Sequence, residues 1–270
     1  MNTSRVVLIT GASSGLGLAQ GKLLADQGYR VYGTARNPDR YSDFNDFELL
    51  PLDVRDEISV TALVAEIIRR EGRIDILVNN AGMGITGPVE EVPYKENILA
   101  LETNLHGPIR MMQAVLPHMR KAGSGLVVNV TSIAGYMGLP FRGMYSASKA
   151  ALHIISEATR MEVRQQGISI TTLAPGDYAT NIASGRYHSP LYPDSAYQHT
   201  YGLSLELMNS HVNSGGDPNQ VARKLLEIIR SKNPSVHYTV GSPMQRLSIV
   251  LKRFLPGVVF ERLLRNHYKL

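Results

Sequence analysis

The chain predicts an α/β fold, a doubly wound parallel sheet in a single domain with a C-terminal helical extension. Three observations carry that expectation. Short apolar runs rich in β-branched residues alternate with longer segments of helical period. The strand-like runs are continuously apolar, as a sheet covered on both faces requires. No Pro/Ser-rich linker and no internal repeat divides the 270 residues.

"RVVLIT" (5–10) reads as the first strand, 15–28 as a helix and "YRVYGTA" (29–35) as the second strand. The ten residues "RNPDRYSDFN" (36–45) hardly hold a full crossover helix before the third strand, "FELLPLDV" (47–54). Residues 56–71 place Ile58, Leu63, Ile67 and Ile68 at helical spacing. "IDILVNNAG" (74–82) and "GLVVNVTS" (125–132) are strands flanking a long helical stretch that ends near Lys121. A helix over 145–166 feeds the strand "ISITTLAP" (168–175). Beyond an irregular segment, a helix at 218–231 precedes a last strand near "VHYTVG" (236–241). Strands alternating with helices pair in parallel through crossovers.

A content of 43% hydrophobic and 19% charged residues describes an ordinary globular chain. The absence of cysteine excludes disulfides and thiolate metal sites. The apolar run from Val6 has ended by Thr10, and no later run approaches the roughly 18 residues of a membrane span, so a soluble, cytoplasmic protein is expected. The net charge of +5 is local. Residues 241–270 hold six Lys/Arg and one acid, and the rest of the chain is neutral. These residues divide the chain into a domain over 1–241 and a basic amphipathic tail over 242–270. A helix pair packed on the domain with a solvated basic face is expected; adhesion to an anionic membrane surface is the alternative. No basic stripe in the body suggests nucleic acid.

"TGASSGLG" (10–17) follows the first strand and opens a helix. Gly11, Gly15 and Gly17 allow a tight reversal and let backbone amides approach a diphosphate at the helix N-terminus. A glycine turn without a ligand is the plain alternative. The spacing Gly-x3-Gly-x-Gly resembles that of the short-chain dehydrogenase/reductase family, in its compact single-domain branch. The resemblance continues through Asp53 in "PLDV", "NNAG" (79–82), Asn104, Ser132 in "VTSIAG", "YSASK" (145–149) and "PGDYAT" (175–180). These span residues 10–180 in the family's order. They imply a Rossmann-type domain, an oxidoreductase activity and a homo-dimer or homo-tetramer.

The resemblance also implies a nicotinamide cofactor held by Gly11, Ser13, Ser14, Gly15, Leu16 and Gly17, then by Asp53 and Val54, and by Asn80, Ala81 and Gly82. Asn79, Ala81 and Gly82 match the segment that stabilises the sheet beside the cofactor. Pro175, Gly176 and Thr180 complete the set, Thr180 matching the residue that bonds the carboxamide. Asp53 is expected to accept from the adenine amino group, or simply to cap the helix at 56–71. The second strand ends "GTARNP", with Ala35 where an acid would favour NAD(H) and Arg36 beside it. A guanidinium fork suits a 2′-phosphate, so NADP(H) is preferred over NAD(H), unless Arg36 is a solvated loop cation. Ser14 departs from the basic residue of some NADP-using relatives.

On a helix Tyr145 and Lys149 share one face. Taken alone, Tyr-x3-Lys is usually a surface pair. Ser132, thirteen residues earlier at a strand end, and the upstream turn make it catalytic. A nearby ammonium favours the phenolate, making Tyr145 a general acid and base. By resemblance Ser132 and Tyr145 donate to the substrate oxygen, and both Tyr145 and Lys149 touch the cofactor. Asn104 matches the asparagine that holds a proton-relaying water chain, and it also reads as a helix-kink residue ahead of Pro108.

Between Gly176 and Asp217 regular periodicity is lost, and five of the 13 tyrosines (178, 187, 192, 197, 201) gather with His188 and His199. Residues 177–217 are expected to form a substrate lid, with tyrosines that either line an apolar substrate or pack the lid. The two histidines lack the spacing of metal ligands, and no metal is expected. The partner is a small, lipophilic carbonyl or alcohol. A catalytically silent sensor or scaffold is the alternative on the same fold.

Overall fold

The computed structural model describes residues 4–178, 185–213 and 215–270. Along the chain β1 (Val6–Ile9) is followed by α1 (Gly15–Asp26), β2 (Arg30–Ala35), β3 (Glu48–Pro51), α2 (Glu57–Glu71) and β4 (Ile76–Asn79). Then come β5 (Ile85–Thr86), α3 (Tyr94–Leu101), α4 (Gly107–Ala122), β6 (Gly125–Val130), α5 (Gly143–Val163) and β7 (Ile168–Pro175). The last third holds β8 (Tyr187–His188), α6 (Gln198–Asn213), α7 (Asn219–Arg230), β9 (His237–Val240), α8 (Pro243–Phe254) and α9 (Gly257–Tyr268).

The main sheet has seven strands in the order β3-β2-β1-β4-β6-β7-β9, all parallel, a Rossmann-type arrangement. Side chains alternate across a strand, so each apolar run supplies both faces. Val6, Leu8 and Leu77 pack with α2 and α4 residues such as Ile67, Met111 and Val115. Val7, Ile9, Ile76 and Val78 pack with Leu24 of α1 and with Val221, Leu225 and Ile228 of α7. Burying each such side chain contributes ~1.5–3 kcal/mol. Strand order reverses between β1 and β4, which opens a crevice at their C-terminal ends.

The short connection before β3 carries only a 3-10 turn, Pro38–Arg40. Asp56 caps α2 through a bond from Ile58 N (3.0 Å), and Gly72 closes it in the left-handed region. The helix read at 145–166 runs instead from Gly143 to Val163 and tightens to 3-10 geometry through Gln166. Between α3 and α4 the chain makes a π turn, Glu102–His106, just before Pro108, which has no N–H to continue the α-helical ladder.

The expectation of an irregular lid needs correction. Residues 198–213 form a 16-residue helix, and β8 pairs with β5 in a small parallel sheet apart from the main one. The helix carries little periodic signal because its apolar face is weak: Tyr201, Ser204 and Met208 are buried, at i, i+3 and i+7.

Candidate active site

Gly11 turns the chain after β1 with φ +65°, and its N–H donates to Thr34 Oγ1 (3.1 Å). At Gly17 a Cβ would lie 2.4 Å from Gly11 O and 2.6 Å from Asn80 Nδ2, so only glycine lets α1 start this close to the turn. Asn80 Nδ2 donates to both Thr10 O and Gly11 O (3.0 Å each), while Thr10 Oγ1 accepts from Asn80 N (3.0 Å) and Ala81 N (2.9 Å). These bonds clamp the glycine turn to the end of β4. Ser14 precedes α1 without a side-chain cap, and no acid stands in its first turn. The orphan amides there suit an anion, and this cradle fits a dinucleotide diphosphate.

A cleft of about 930 Å³ runs from this turn along the C-terminal edge of the sheet. Gly11, Ser13, Ser14, Gly15, Leu16, Arg36, Asp53, Val54, Asn80, Ala81, Gly82, Ser132, Tyr145, Lys149, Pro175 and Gly176 all line it. Gly17 lies behind the turn and Asn104 behind the wall; Thr180 falls outside the described residues.

At the end beside β2 and β3 the lining is cationic: Arg36 follows buried Ala35, and Arg40 and Arg55 stand with it. Asp53 does not cap α2. It accepts from Arg55 Nε (2.9 Å) and Arg55 N (3.0 Å), and this pairing, with a smaller effect of Arg36, holds its carboxyl below the usual range.

At the other end Ser132, Tyr145 and Lys149 converge. Ser132 Oγ accepts from Ala134 N (3.1 Å) and starts the 3-10 turn Ile133–Tyr136 after β6. Tyr145 and Lys149 lie one turn apart on α5, both buried. Lys149 Nζ donates to Val130 O (3.0 Å); among the described residues no hydrogen bond joins it to the phenol. Burial pushes Lys149 down to about 8. The π turn aims Asn104 inward: its Oδ1 accepts from Met83 N (2.8 Å), and its Nδ2 donates to Met83 O (3.0 Å) and Ser148 Oγ (3.1 Å). A Cβ on Gly82 would sit 3.2 Å from Asn104 Oδ1 and 3.4 Å from Lys149 Nζ, so the three are neighbours.

Two cations beside the phenol had no signal in the sequence. The Arg142 guanidinium lies 5.2 Å from the Tyr145 ring centroid. Arg186 lines the same cleft, and its Nη1 is buried with no partner among the described residues; burial, then Arg142, push it below its usual range. The tail reaches the rim as well. Gln245 Nε2 of α8 donates to Asp177 Oδ2 (2.8 Å), and the buried Tyr268 of α9 lies near Arg142. Of the five tyrosines read as lid, Tyr178 and Tyr187 line the cleft, Tyr201 packs with its hydroxyl on Thr86 O (3.2 Å), Tyr197 is half-buried and Tyr192 is exposed. His188 packs on Thr86 Oγ1 (3.1 Å).

Residues 5–190 match the family model described as short chain dehydrogenase. The chain is 38% identical to 3-ketodihydrosphingosine reductase of Bacteroides thetaiotaomicron, covering 98% of both chains. It superposes on the crystal structure of a short-chain dehydrogenase from Streptomyces avermitilis with a TM-score of 0.84, 31% identity and 99% of each chain covered. ElxO with NADP bound aligns with a TM-score of 0.70 at 26% identity, over 88% of this chain and 96% of that one.

Proposed function

The chain belongs to the short-chain dehydrogenase/reductase family, and from that premise we propose that it is an NADP(H)-dependent oxidoreductase interconverting a carbonyl and a primary or secondary alcohol. One observation carries the reading. Ser132 from the end of β6, and Tyr145 and Lys149 from α5, meet on one wall of a cleft whose other end is an uncapped helix N-terminus behind a glycine turn.

When bound, the nicotinamide supplies or takes up the hydride. The chain's own groups do the rest. The hydroxyls of Ser132 and Tyr145 donate to the substrate oxygen and favour the negative charge that develops on it. Tyr145 gives its proton to that oxygen in reduction and recovers it in oxidation. Lys149, moored on Val130 O, keeps a positive charge on the phenol's helix face, and Asn104 fixes the Met83 backbone beside it.

NADP(H) is the favoured cofactor because Arg36, Arg40 and Arg55 surround the end of the cleft where a 2′-phosphate would lie, with Asp53 held by Arg55. The ElxO neighbour holds NADP, while a Burkholderia phymatum neighbour holds NAD, so the three arginines carry this reading. A lipophilic ketone or alcohol is the favoured substrate. Met83, Ile85 and Tyr187 line the cleft and pack with Tyr145, Leu99 lines it too, and the Bacteroides relative is named a 3-ketodihydrosphingosine reductase. Arg186, whose Nη1 has no partner among the described residues, offers a donor to an oxygen on that substrate. Exposed Ile154 and Met161, seven residues apart on α5, support a homo-oligomer.

The test is steady-state kinetics on a panel of ketones, aldehydes and alcohols with each cofactor, for wild type, Arg36→Ala and Tyr145→Phe. Wild type should prefer NADPH, and Arg36→Ala should lose about tenfold or more in kcat/KM for NADPH alone. Tyr145→Phe should lose on the order of 10²–10⁴ in turnover with cofactor binding retained. A wild-type preference for NADH would reject the cofactor assignment. Tight NADPH binding with no turnover anywhere on the panel would favour the sensor.

A further inference from the structure

The tail was expected to bury its apolar residues and leave a basic face to solvent. It does more. Inward, Ile249, Leu251, Leu255 and Leu264 pack with Ile133, Met137 and Phe260. On α9, Phe260, Leu264 and Tyr268 stand at i, i+4 and i+8 and form the inner seam. A second apolar set faces out. Met244 (71% exposed), Leu247, Val250 and Phe254 (76%) follow one another at steps of three, three and four, a single stripe along α8. Val258 (71%), Val259 and Leu263 continue it on the exposed side of α9. Arg246, Lys252, Arg253, Arg262, Arg265 and Lys269 are exposed beside these residues, and Glu261 is the only acid in 241–270.

Seven outward apolar side chains on two short helices are too many to leave to solvent without a covering partner. The charge decides what that partner is. A second copy meeting this face through a two-fold axis would set the same six bases against themselves, since an isologous contact pairs a patch with its own image. A surface of anionic phosphates over hydrocarbon satisfies both features at once: the bases meet the phosphates and the apolar stripe enters the acyl boundary. We propose that α8 and α9 form a docking surface for an anionic lipid bilayer. No helix among the described residues is long and apolar enough to cross a membrane, so the chain lies on the bilayer rather than spanning it.

The same two helices reach the rim of the cleft, where Gln245 bonds Asp177 and the buried Tyr268 lies near Arg142. Adsorption therefore sets the rim of the cleft at the lipid interface, where a lipophilic ketone is concentrated. This consequence rests on the proposed substrate class; the docking itself does not.

The experiment is co-sedimentation of the full chain with phosphatidylcholine vesicles, with and without phosphatidylglycerol, at low salt and at about 1 M salt. The chain should pellet with the anionic vesicles at low salt and stay in solution with the neutral ones or at high salt. Arg246→Gln, Arg253→Gln and Arg262→Gln together should weaken binding on the order of a hundredfold, about fivefold for each base. Met244→Ser, Phe254→Ser and Val258→Ser together should weaken it about tenfold or more with no change in charge. Failure to pellet with anionic vesicles at low salt, or equal binding by wild type and both variants, overturns the proposal. So does a shift of the serine variant from oligomer to monomer in analytical ultracentrifugation, which assigns the face to a second copy. Turnover of a water-soluble ketone without vesicles is read separately. Turnover without vesicle binding rejects docking alone, and vesicle binding without turnover rejects the enzymatic reading alone.

Discussion

Lys149 sits in the wall of the cleft with one carbonyl as partner, and among the described residues no carboxylate pairs with it. Burial alone lowers it from 10.5 to about 8. Between those values the unfolded chain keeps a proton that the folded chain has released, so the lysine's contribution to stability rises with pH across that window. Below about pH 8 the fold carries a buried ammonium at a cost of up to ~3 kcal/mol. Lys149→Met should therefore raise the unfolding free energy near pH 7 by as much as that and flatten its rise between pH 8 and 10.5, while abolishing turnover. Denaturant unfolding at several pH values, beside activity, checks it; a destabilised variant would mean the bond to Val130 outweighs the desolvation. That a tyrosine and a lysine share a helix face is legible from their spacing of four. That the ammonium bonds a β6 carbonyl rather than the phenol is not, because the spacing fixes which face a side chain leaves and not what it meets.

At the scale of elements, the pairing of β4 with β6 sets Asn79 opposite Asn129. Asn79 Nδ2 donates to Asn129 Oδ1 (2.8 Å), and Asn129 Nδ2 donates to Ser156 Oγ of α5 (2.8 Å). This buried polar row joins two strands to the helix that carries Tyr145 and Lys149. Asn129→Ala strips a partner from both buried neighbours and should cost ~2 kcal/mol, read as a lowered denaturation midpoint with unchanged slope. A cost near zero would show that the row is replaceable by packing. "NNAG" marks Asn79 by resemblance, but Asn129 reads only as a polar interruption of an apolar strand, and its purpose appears once the register is known. The α6 helix shows the converse: its buried Tyr201, Ser204 and Met208 are too mixed in polarity for a periodic signal.

Across the whole molecule the cleft is lined by residues far apart in sequence: Met83 and Ile85 after β4, Arg142 before α5 and Arg186 before β8, with Gln245 of the tail bonded to the rim residue Asp177 and Tyr268 near Arg142. The tail is held chiefly by Phe260, buried among Ile133, Met137, Leu255 and Leu264. Its start is secured by a capping box, with Ser242 Oγ accepting from Gln245 N (3.3 Å) and Gln245 Oε1 accepting from Ser242 N (3.1 Å). Phe260→Ala should cost ~3 kcal/mol through the cavity it leaves. It should also raise KM for the carbonyl substrate, by shifting α9 and the Tyr268 it packs near Arg142, while leaving KM for the cofactor unchanged. An equal rise in both constants would place the damage in the sheet rather than at the rim.

By itself the sequence determined the parallel α/β order, the glycine turn and the shared helix face of Tyr145 and Lys149, each written in short-range spacing: apolar runs alternating with helical period, a turn that glycine allows, a step of four on a helix. The cofactor segments and Ser132 were marked only by the resemblance to the family, and the structure lines one cleft with them. Only the tertiary structure decided that Arg40 and Arg55 join Arg36, that Arg142 and Arg186 flank the phenol, and that the tail shows an apolar stripe to the outside. Those facts depend on contacts between segments up to more than a hundred residues apart, and on which face of a helix finds a neighbour. Local periodicity reports that a face is apolar; the rest of the fold decides whether anything covers it.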